Sequence, residues 1–265
     1  MEIINNIKKF SPIDKSILTI GSYDGIHNGH LEVLSSLVRY SKKKKVPSVL
    51  ITFNPHPRYI INNDSNLSLL MSMEEKIKII NDLEIDYLCI INFTKEFSLI
   101  SPIEFLEDFV LYYFNPKAIF IGYNHHFGNN RKGSPELLDN FCKNRDIVLN
   151  VIGPVRNKSR EISSTKIREL IVNGKIKNAN SDLGSPYGFN AKVVRGSGRG
   201  ESLTYPTANI IPVEKKQLMP KTGVYFICGR INGLKVFGMC NFGIRPTFNE
   251  NDLVMEIHFF HKQEH

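Results

Sequence analysis

The sequence predicts an α/β chain: a Rossmann-like N-terminal domain on a parallel sheet, followed by a smaller all-β domain with the pattern of a barrel. Three observations predict it. Strand-length apolar runs alternate with helical patterns as far as Val172. Beyond Ala179 the alternation gives way to short strand-like runs punctuated by glycine and proline. The stretch 21–30, GSYDGIHNGH, places Gly21, Gly25, Gly29, Asp24 and two histidines where a strand hands over to a helix. Open parallel sheets hold their ligands at such junctions, outside the carboxyl ends of the strands.

The elements follow in order. Ile17 to Gly21, Val49 to Phe53, Tyr87 to Ile91, Ile119 to Gly122 and Val148 to Ile152 read as strands. Leu31 to Ser41, Glu74 to Asp82, Pro102 to Phe114 and Pro135 to Asn144 read as the helices between them. Ser101-Pro102 and Ser134-Pro135 are helix starts, with serine as N-cap and proline in the first turn. A last helix runs from Ser163 or Ser164 to Val172 and stops near Asn173-Gly174. Tyr187 to Val194, Gly223 to Arg230, Lys235 to Asn241 and Val254 to Phe260 read as strands of the second domain, with Asn232-Gly233 as a two-residue hairpin turn. The polar stretch Asn178 to Pro186 marks the boundary, which gives domains at 1–178 and 179–265.

At 42% hydrophobic, the 265 residues can build a core, which excludes wholesale disorder. Lys plus Arg is 34 against 26 Asp plus Glu, a net charge of +8 that favours anionic partners. The basic run Lys42 to Lys45 reads as a solvated helix end facing the negative pole of the helix dipole, not as a nucleic-acid patch, because no aromatic residues interleave it. Cys89, Cys142, Cys228 and Cys240 form no CxxC pair and read as reduced core residues, which predicts a cytoplasmic protein. No signal peptide and no run of membrane-span length is present in the sequence.

Four polar loops fall at one edge of the predicted sheet. A helix N-terminus offers free N–H groups and positive partial charge, so the Gly21–His30 turn suits the phosphates of a nucleoside triphosphate. His27 and His30 can converge there as hydrogen-bond donors, and Gly29 lets a ligand approach the backbone. Metal binding by the pair is disfavoured, since helical zinc ligands are spaced i, i+4 and no third ligand lies nearby. Two loop histidines that merely cap the helix are the plainer alternative. TFNPHP, at 52–57, ends the second strand with Asn54 and His56. GYNHHFGNNRKG, at 122–133, ends the fourth with Asn124 and His125. In ISSTKIR, at 162–168, Ser163 or Ser164 caps a helix, and Arg168 one turn on can reach the same phosphate. Any one of these could be a plain turn or cap, but four at one edge argue for a site.

Together with VVRGSGRG (193–200), YPTAN (205–209), KTGVY (221–225) and NFGIRPTF (241–248), these strings resemble the bacterial bifunctional riboflavin kinase/FAD synthetases, in order and over nearly the whole chain. The resemblance implies a nucleotidyltransferase first domain that moves AMP from ATP to FMN, giving FAD and pyrophosphate. It implies His27 and His30 at the ATP phosphates, and Ser164 and Arg168 at the leaving pyrophosphate. Gly21, Asp24, Gly25, Gly29, Ser163 and Lys166 would complete the ATP site, with Asn54, His56, Asn124 and His125 beside the flavin. It implies a second domain that phosphorylates riboflavin, with Gly196, Gly198 and Arg199 over the ATP phosphates and Thr207 and Asn209 on Mg²⁺. The expected partners are nucleotides and flavins, not nucleic acid or membrane. Alternatives are a non-catalytic flavin- or nucleotide-binding remnant and a nucleotidyltransferase with another phosphate acceptor.

The sequence departs from the family pattern at Ser22, at Glu201 and at Thr204-Tyr205, and it stops at His265. Relative to the family, the kinase barrel is expected to be incomplete. Neither Glu256 nor Glu264 is expected to supply the family's general base, and an exposed strand edge is expected to favour self-association.

Overall fold

A computed structural model describes residues 1–61, 67–129, 132–194, 207–246 and 251–260. The expected phosphate-loop residues Gly196, Gly198 and Arg199 lie outside the described residues.

Six parallel strands form the first sheet: β1 (Glu2–Ile4), β2 (Ser16–Ile20), β3 (Ser48–Asn54), β4 (Tyr87–Asn92), β5 (Pro116–Gly122) and β6 (Val148–Ile152), in the order β1-β4-β3-β2-β5-β6. The helices are α1 (Asn28–Lys44), α2 (Pro57–Ile61), α3 (Met73–Asp82), α4 (Lys95–Ser98), α5 (Pro102–Glu104), α6 (Tyr112–Phe114), α7 (Pro135–Lys143), α8 (Ser164–Val172) and α9 (Ile176–Leu183). Side chains alternate across each strand, and both faces are covered. Leu18, Ile20, Val49 and Ile51 pack with Leu106, Phe114 and Leu138 on one face. Leu50 and Leu88 pack with Leu34 and Ile80 on the other. That is why these strands read as continuous apolar runs.

From β2 the chain builds outward through β3 and β4, then crosses back to place β5 on the other side of β2. The strand order therefore reverses between β2 and β5, and the loops after those strands open at the switch point, where such sheets bind ligands.

Of the differences from the sequence reading, three have a clear physical cause, and β1, α2, α4 and a strand at Ala208–Pro212 are additions to it. Pro102 to Phe114 begins with the expected Ser101 cap, closed reciprocally by Glu104, but residues 105–111 wind as a π-helix between α5 and α6. Apolar spacing does not separate i→i+4 from i→i+5 bonding. Helix α1 begins three residues before its first apolar residue, because His27 serves as its N-cap: Nδ1 accepts from the His30 amide at 3.3 Å. Helix α9 occupies the expected polar linker and runs through the division at 178 and 179. It is stabilised by burial of Ala179 and Leu183 against Ile167 and Ile171 of α8, not by any propensity of KNANSD.

A two-stranded ribbon, β7 (Arg156–Asn157) with β8 (Arg160–Glu161), precedes α8. The second domain is one antiparallel sheet of β9 (Ala191–Val194), β10 (Ala208–Pro212), β11 (Gly223–Ile231), β12 (Leu234–Pro246) and β13 (Asn251–Phe259), ordered β11-β12-β13-β10-β9. Asn232 and Gly233 turn β11 into β12 with φ of 49° and 83°, the double left-handed geometry of a tight hairpin. Cys240, Phe242, Met255 and Ile257 form its core. Cys228 corrects the expectation of four core thiols: it is exposed, on the outward register of β11, whereas Cys89, Cys142 and Cys240 are buried. Among the described residues, no helix is long and apolar enough to cross a membrane.

Candidate active site

The turn after β2 is built around Asp24. Its carboxylate is buried, accepts from the Leu70 amide at 3.1 Å, and pairs with the Arg168 guanidinium, whose Nε donates to the Ser68 carbonyl at 3.0 Å. The Ser164 hydroxyl donates to the Asp24 carbonyl at 2.8 Å. The N-terminus of α8 is thereby pinned to the turn that leads into α1. Two helix N-termini, with their free amides and positive ends, meet at one place.

His27 and His30 stack, with ring centroids 3.7 Å apart and planes 14° from parallel, and His30 packs edge-on against Tyr23 at 5.0 Å. Burial lowers the His27 pKa to about 4, with the Asp182 carboxylate opposing that shift. Burial, His27 and Lys76 hold His30 well below its ordinary value. Both rings are therefore neutral at pH 7, and each carries one N–H donor and one acceptor nitrogen. His30 Nδ1 is buried with no hydrogen-bond partner among the described residues.

Lys76, on α3, is the member of this site that sequence reading missed. It is 5% exposed, donates from Nζ to the Ser22 carbonyl at 2.6 Å, and is charge-coupled to Asp24. Burial brings its pKa down to about 8 against the pull of Asp24. Burial also raises the Asp24 carboxyl, which Arg168, Lys76 and the Leu70 amide oppose. The signal was present in the sequence: Lys76 shares the buried face of α3 with Ile80, four residues on. Asp182 escaped notice because α9 did; it is fully buried, bonded to Asn157 at 2.8 Å and paired with Arg160 at 2.6 Å.

Several expected ligand contacts are internal contacts here. The space over Gly29 holds the His27 ring, since a Cβ would lie 3.1 Å from its Cε1. Gly21 accommodates the Tyr23 ring, 2.8 Å from such a Cβ, and Gly25 adopts φ +84° against Leu70. Arg168 is committed to Asp24 and Ser68. Ser163 caps α8 by accepting from the Lys166 amide. Asn54 ends β3 and His56 follows it, and Asn124 and His125 follow β5, the two strands that flank β2. The Asn54 carbonyl accepts from the Phe93 amide, and His56 Nδ1 accepts from the Arg58 amide. His125 stacks on Phe127 at 5.7 Å, and the Asn124 carbonyl bonds His126 at 3.0 Å. Among the described residues, neither the Asn54 nor the Asn124 side chain bonds to the Asp24 cluster.

In the second sheet Thr207 is exposed and Asn209 half-buried. Register places Glu256 of β13 opposite both Asn209 of β10 and Asn241 of β12. Directly opposed residues of antiparallel strands share a face, so Glu256 stands beside Asn209. Sequence reading had set Glu256 aside. The pairing that brings it there joins strands distant in sequence, which no local pattern reveals. Among the described residues no three His, Cys, Asp or Glu side chains converge as a metal cage.

A parallel α/β domain with stacked histidines at a capped helix start, closed by a second helix N-terminus carrying serine and arginine, has the architecture of a nucleotidyltransferase. The family model for FAD synthetase matches residues 10–166, and that for riboflavin kinase matches residues 183–265. The chain is 33% identical to the bifunctional riboflavin kinase/FMN adenylyltransferase of Buchnera aphidicola from Schizaphis graminum, over 97% of this chain and 82% of that protein. It is 29% identical to the Bacillus subtilis protein of the same description, over 89% of this chain and 74% of that one. A Streptococcus pneumoniae crystal structure titled macrolide-efflux protein superposes with a TM-score of 0.88 at 28% identity, covering 99% of this chain and 85% of that one. The chain belongs to the bifunctional riboflavin kinase/FMN adenylyltransferase family, with a domain of each type. The kinase match over 183–265 does not support the expected incompleteness of the kinase domain.

Proposed function

We propose that the first domain transfers AMP from ATP to FMN, releasing pyrophosphate, at the mouth formed by the turn after β2 and the N-terminus of α8. The observation that carries this reading is the junction of Asp24 with Ser164 and Arg168, which ties the N-terminus of α8 to the turn that leads into α1. The FMN phosphate attacks the α-phosphorus, so positioning and electrostatics supply most of the catalysis. His27 and His30, neutral before substrate arrives, donate N–H to phosphate oxygens and need no desolvation of charge beforehand. The negative charge that grows on the leaving pyrophosphate then favours their protonated forms. The free amides at the start of α8 and Lys166 hold the pyrophosphate end, while Ser164, whose hydroxyl donates to the Asp24 carbonyl, and Arg168 fix the loop that frames it. Gly21, Asp24, Gly25, Gly29 and Ser163 shape this frame more than they touch the nucleotide. Asn54, His56, Asn124 and His125 border the flavin from the flanking strands.

The second domain phosphorylates riboflavin. Thr207, just before β10, and Asn209, within it, offer side-chain oxygens that fit a hard divalent ion, with Glu256 of β13 opposite Asn209. Thr207 and Asn209 would hold Mg²⁺, which neutralises phosphate charge when bound. Glu256 accepts the proton of the attacking riboflavin hydroxyl. Gly196, Gly198 and Arg199 would cover the phosphates. The strands β11 and β9, which edge the sheet, suit self-association.

The deciding experiment supplies FMN or riboflavin separately with ATP and Mg²⁺ and follows the flavin products. FAD from FMN, abolished by His30→Ala, supports the assignment; an unchanged rate in that variant removes the histidines from the site.

A further inference from the structure

The loop that holds Asp24 is itself held by the second domain. Leu69 pairs with the segment 216–218 as a short parallel bridge: its amide donates to the Lys216 carbonyl at 2.7 Å, and its carbonyl accepts from the Leu218 amide at 2.8 Å. Gln217, 5% exposed, lies inside this bridge. Its Nε2 reaches the Leu70 carbonyl at 3.3 Å, the Leu69 carbonyl at 3.4 Å and the Tyr187 hydroxyl at 2.7 Å. The Tyr187 hydroxyl in turn donates to the Leu218 carbonyl at 2.5 Å. On its other side the same loop presents the Leu70 amide to the Asp24 carboxylate and the Ser68 carbonyl to Arg168. Lys216 adds a cation over the Tyr59 ring at 3.7 Å, and the Tyr59 hydroxyl donates to the Leu67 carbonyl at 2.8 Å.

The carboxamide orientation is dictated by its neighbours. Two carbonyls face Nε2, so reversing the amide would set oxygen against oxygen. Its Oε1 is buried without a partner among the described residues, an arrangement that costs stability. The group is held there for its donor end. Burial of the Tyr187 ring raises its hydroxyl pKa, which keeps it a neutral donor and acceptor at any physiological pH.

We propose that Gln217 is a positioning residue through which the second domain sets the phosphate-binding geometry of the first. It acts by fixing Leu69 and Leu70, which fix Asp24 and Arg168, and it touches no substrate. The coupling rests on the assignment of the Asp24 cluster to the nucleotide site. It predicts that loosening the bridge harms ATP and not FMN, because the cluster lies at the phosphate end.

The test is steady-state FAD synthesis by the full chain carrying Gln217→Met, which keeps the length of the side chain and removes the donor. The KM for ATP is expected to rise about 10-fold, the size of one buried hydrogen bond. The KM for FMN is expected to change by less than about twofold. An unchanged KM for ATP, or an equal rise in both constants, overturns the proposal. Should Gln217→Met fail to fold, Tyr187→Phe keeps the ring and removes only the hydroxyl. It is expected to raise the KM for ATP about threefold, and no rise overturns the proposal equally. The two variants combined should be less than additive, since they break one chain of bonds. His30→Ala in the same assay separates the two levels. If His30→Ala is inactive while Gln217→Met behaves as wild type, the coupling alone fails; if His30→Ala is fully active, the site assignment fails with it.

Discussion

Asp24 and Arg168 form a buried ion pair across 144 residues of sequence, with side chains 3% and 15% exposed. The pair closes the first domain on itself, since the turn after its central strand is locked to its last long helix but one. A buried pair adds little net stability when intact, but removing one partner leaves an uncompensated charge, which costs about 3–5 kcal/mol. Arg168→Ala is therefore expected to lower the thermal midpoint by roughly 6–20 °C, at about 2–4 °C per kcal/mol for a chain near this size. Differential scanning calorimetry checks this. Asp24→Asn keeps an acceptor for the Leu70 amide but leaves the Arg168 guanidinium and the buried Lys76 ammonium without their counter-charge, so it should cost about as much.

The buried ammonium of Lys76 makes stability depend on pH in the alkaline range. Its folded-state pKa of about 8 lies below the ordinary 10.5, so the unfolded chain holds the proton more tightly. Between those values unfolding takes up protons, and Lys76 adds stability as pH rises. Below pH 8 both states are protonated and the full desolvation cost stands. Relative to Lys76→Met, the wild-type protein should gain stability between pH 7.5 and about 10, measured by urea denaturation at both ends. A constant difference between the two proteins across that range would contradict a buried, charge-strained lysine. Because Lys76 also holds the Ser22 carbonyl, Lys76→Met should slow FAD synthesis by about 10-fold.

The histidine pair sets the acid side. His27 is neutral in the folded protein down to about pH 4 against an ordinary 6.5, and burial shifts His30 in the same direction. As pH falls through that window the unfolded chain gains protons that the folded chain refuses, so stability is lost. His27→Gln should flatten the decline between about pH 6.5 and 4 in a denaturation series. Saturating ATP should flatten it too, by supplying the anion that imidazolium needs.

Much of this was legible in the sequence, and the reasons are local. The alternation of strands and helices, the serine caps at Ser101, Ser134 and Ser163, and the Asn232-Gly233 turn are written in neighbouring residues and appear as expected. Helix α9 was passed over because KNANSD reads as a polar linker, although Ile176, Ala179 and Leu183 recur at helical spacing and pack with α8. The site divided in the same way. The loops at the sheet edge were visible as motifs. Asp182, Gln217 and Glu256 enter through tertiary pairing and were not, whereas Lys76 carried a local signal in its place on the buried face of α3 with Ile80. Arg168 was singled out as well, and its pairing with the buried Asp24 carboxylate, 144 residues away, carries no local signal.

Cysteine accessibility tests the packing of both domains at once. Cys228 is exposed on β11, while Cys89, Cys142 and Cys240 are buried. Burial pushes Cys89 to about 12 and Cys142 to about 11, and raises Cys240 as well, so all three are doubly protected as thiols. Titration of the native protein with a chromogenic disulfide should release one equivalent quickly, and the remaining three only on unfolding. Cys228→Ser should abolish the fast phase. A second fast thiol would show that the core around β4, α7 or β12 is looser than described.

Glu256 separates the two activities. It stands opposite Asn209 in the second sheet, apart from the residues proposed for adenylyl transfer on the first. Replacing a carboxylate that accepts a proton in the transition state costs about 10²–10⁴-fold in rate. Glu256→Gln keeps the size of the side chain and its register with Asn209 and Asn241, and loses only the basicity. Riboflavin phosphorylation should fall by at least about 100-fold, while FAD formation from supplied FMN stays at the wild-type rate. Loss of both activities would point to collapse of the β sheet instead, which near-native thermal unfolding would exclude. Retention of full kinase turnover would mean that the riboflavin hydroxyl gives its proton elsewhere, to the phosphate itself or to water.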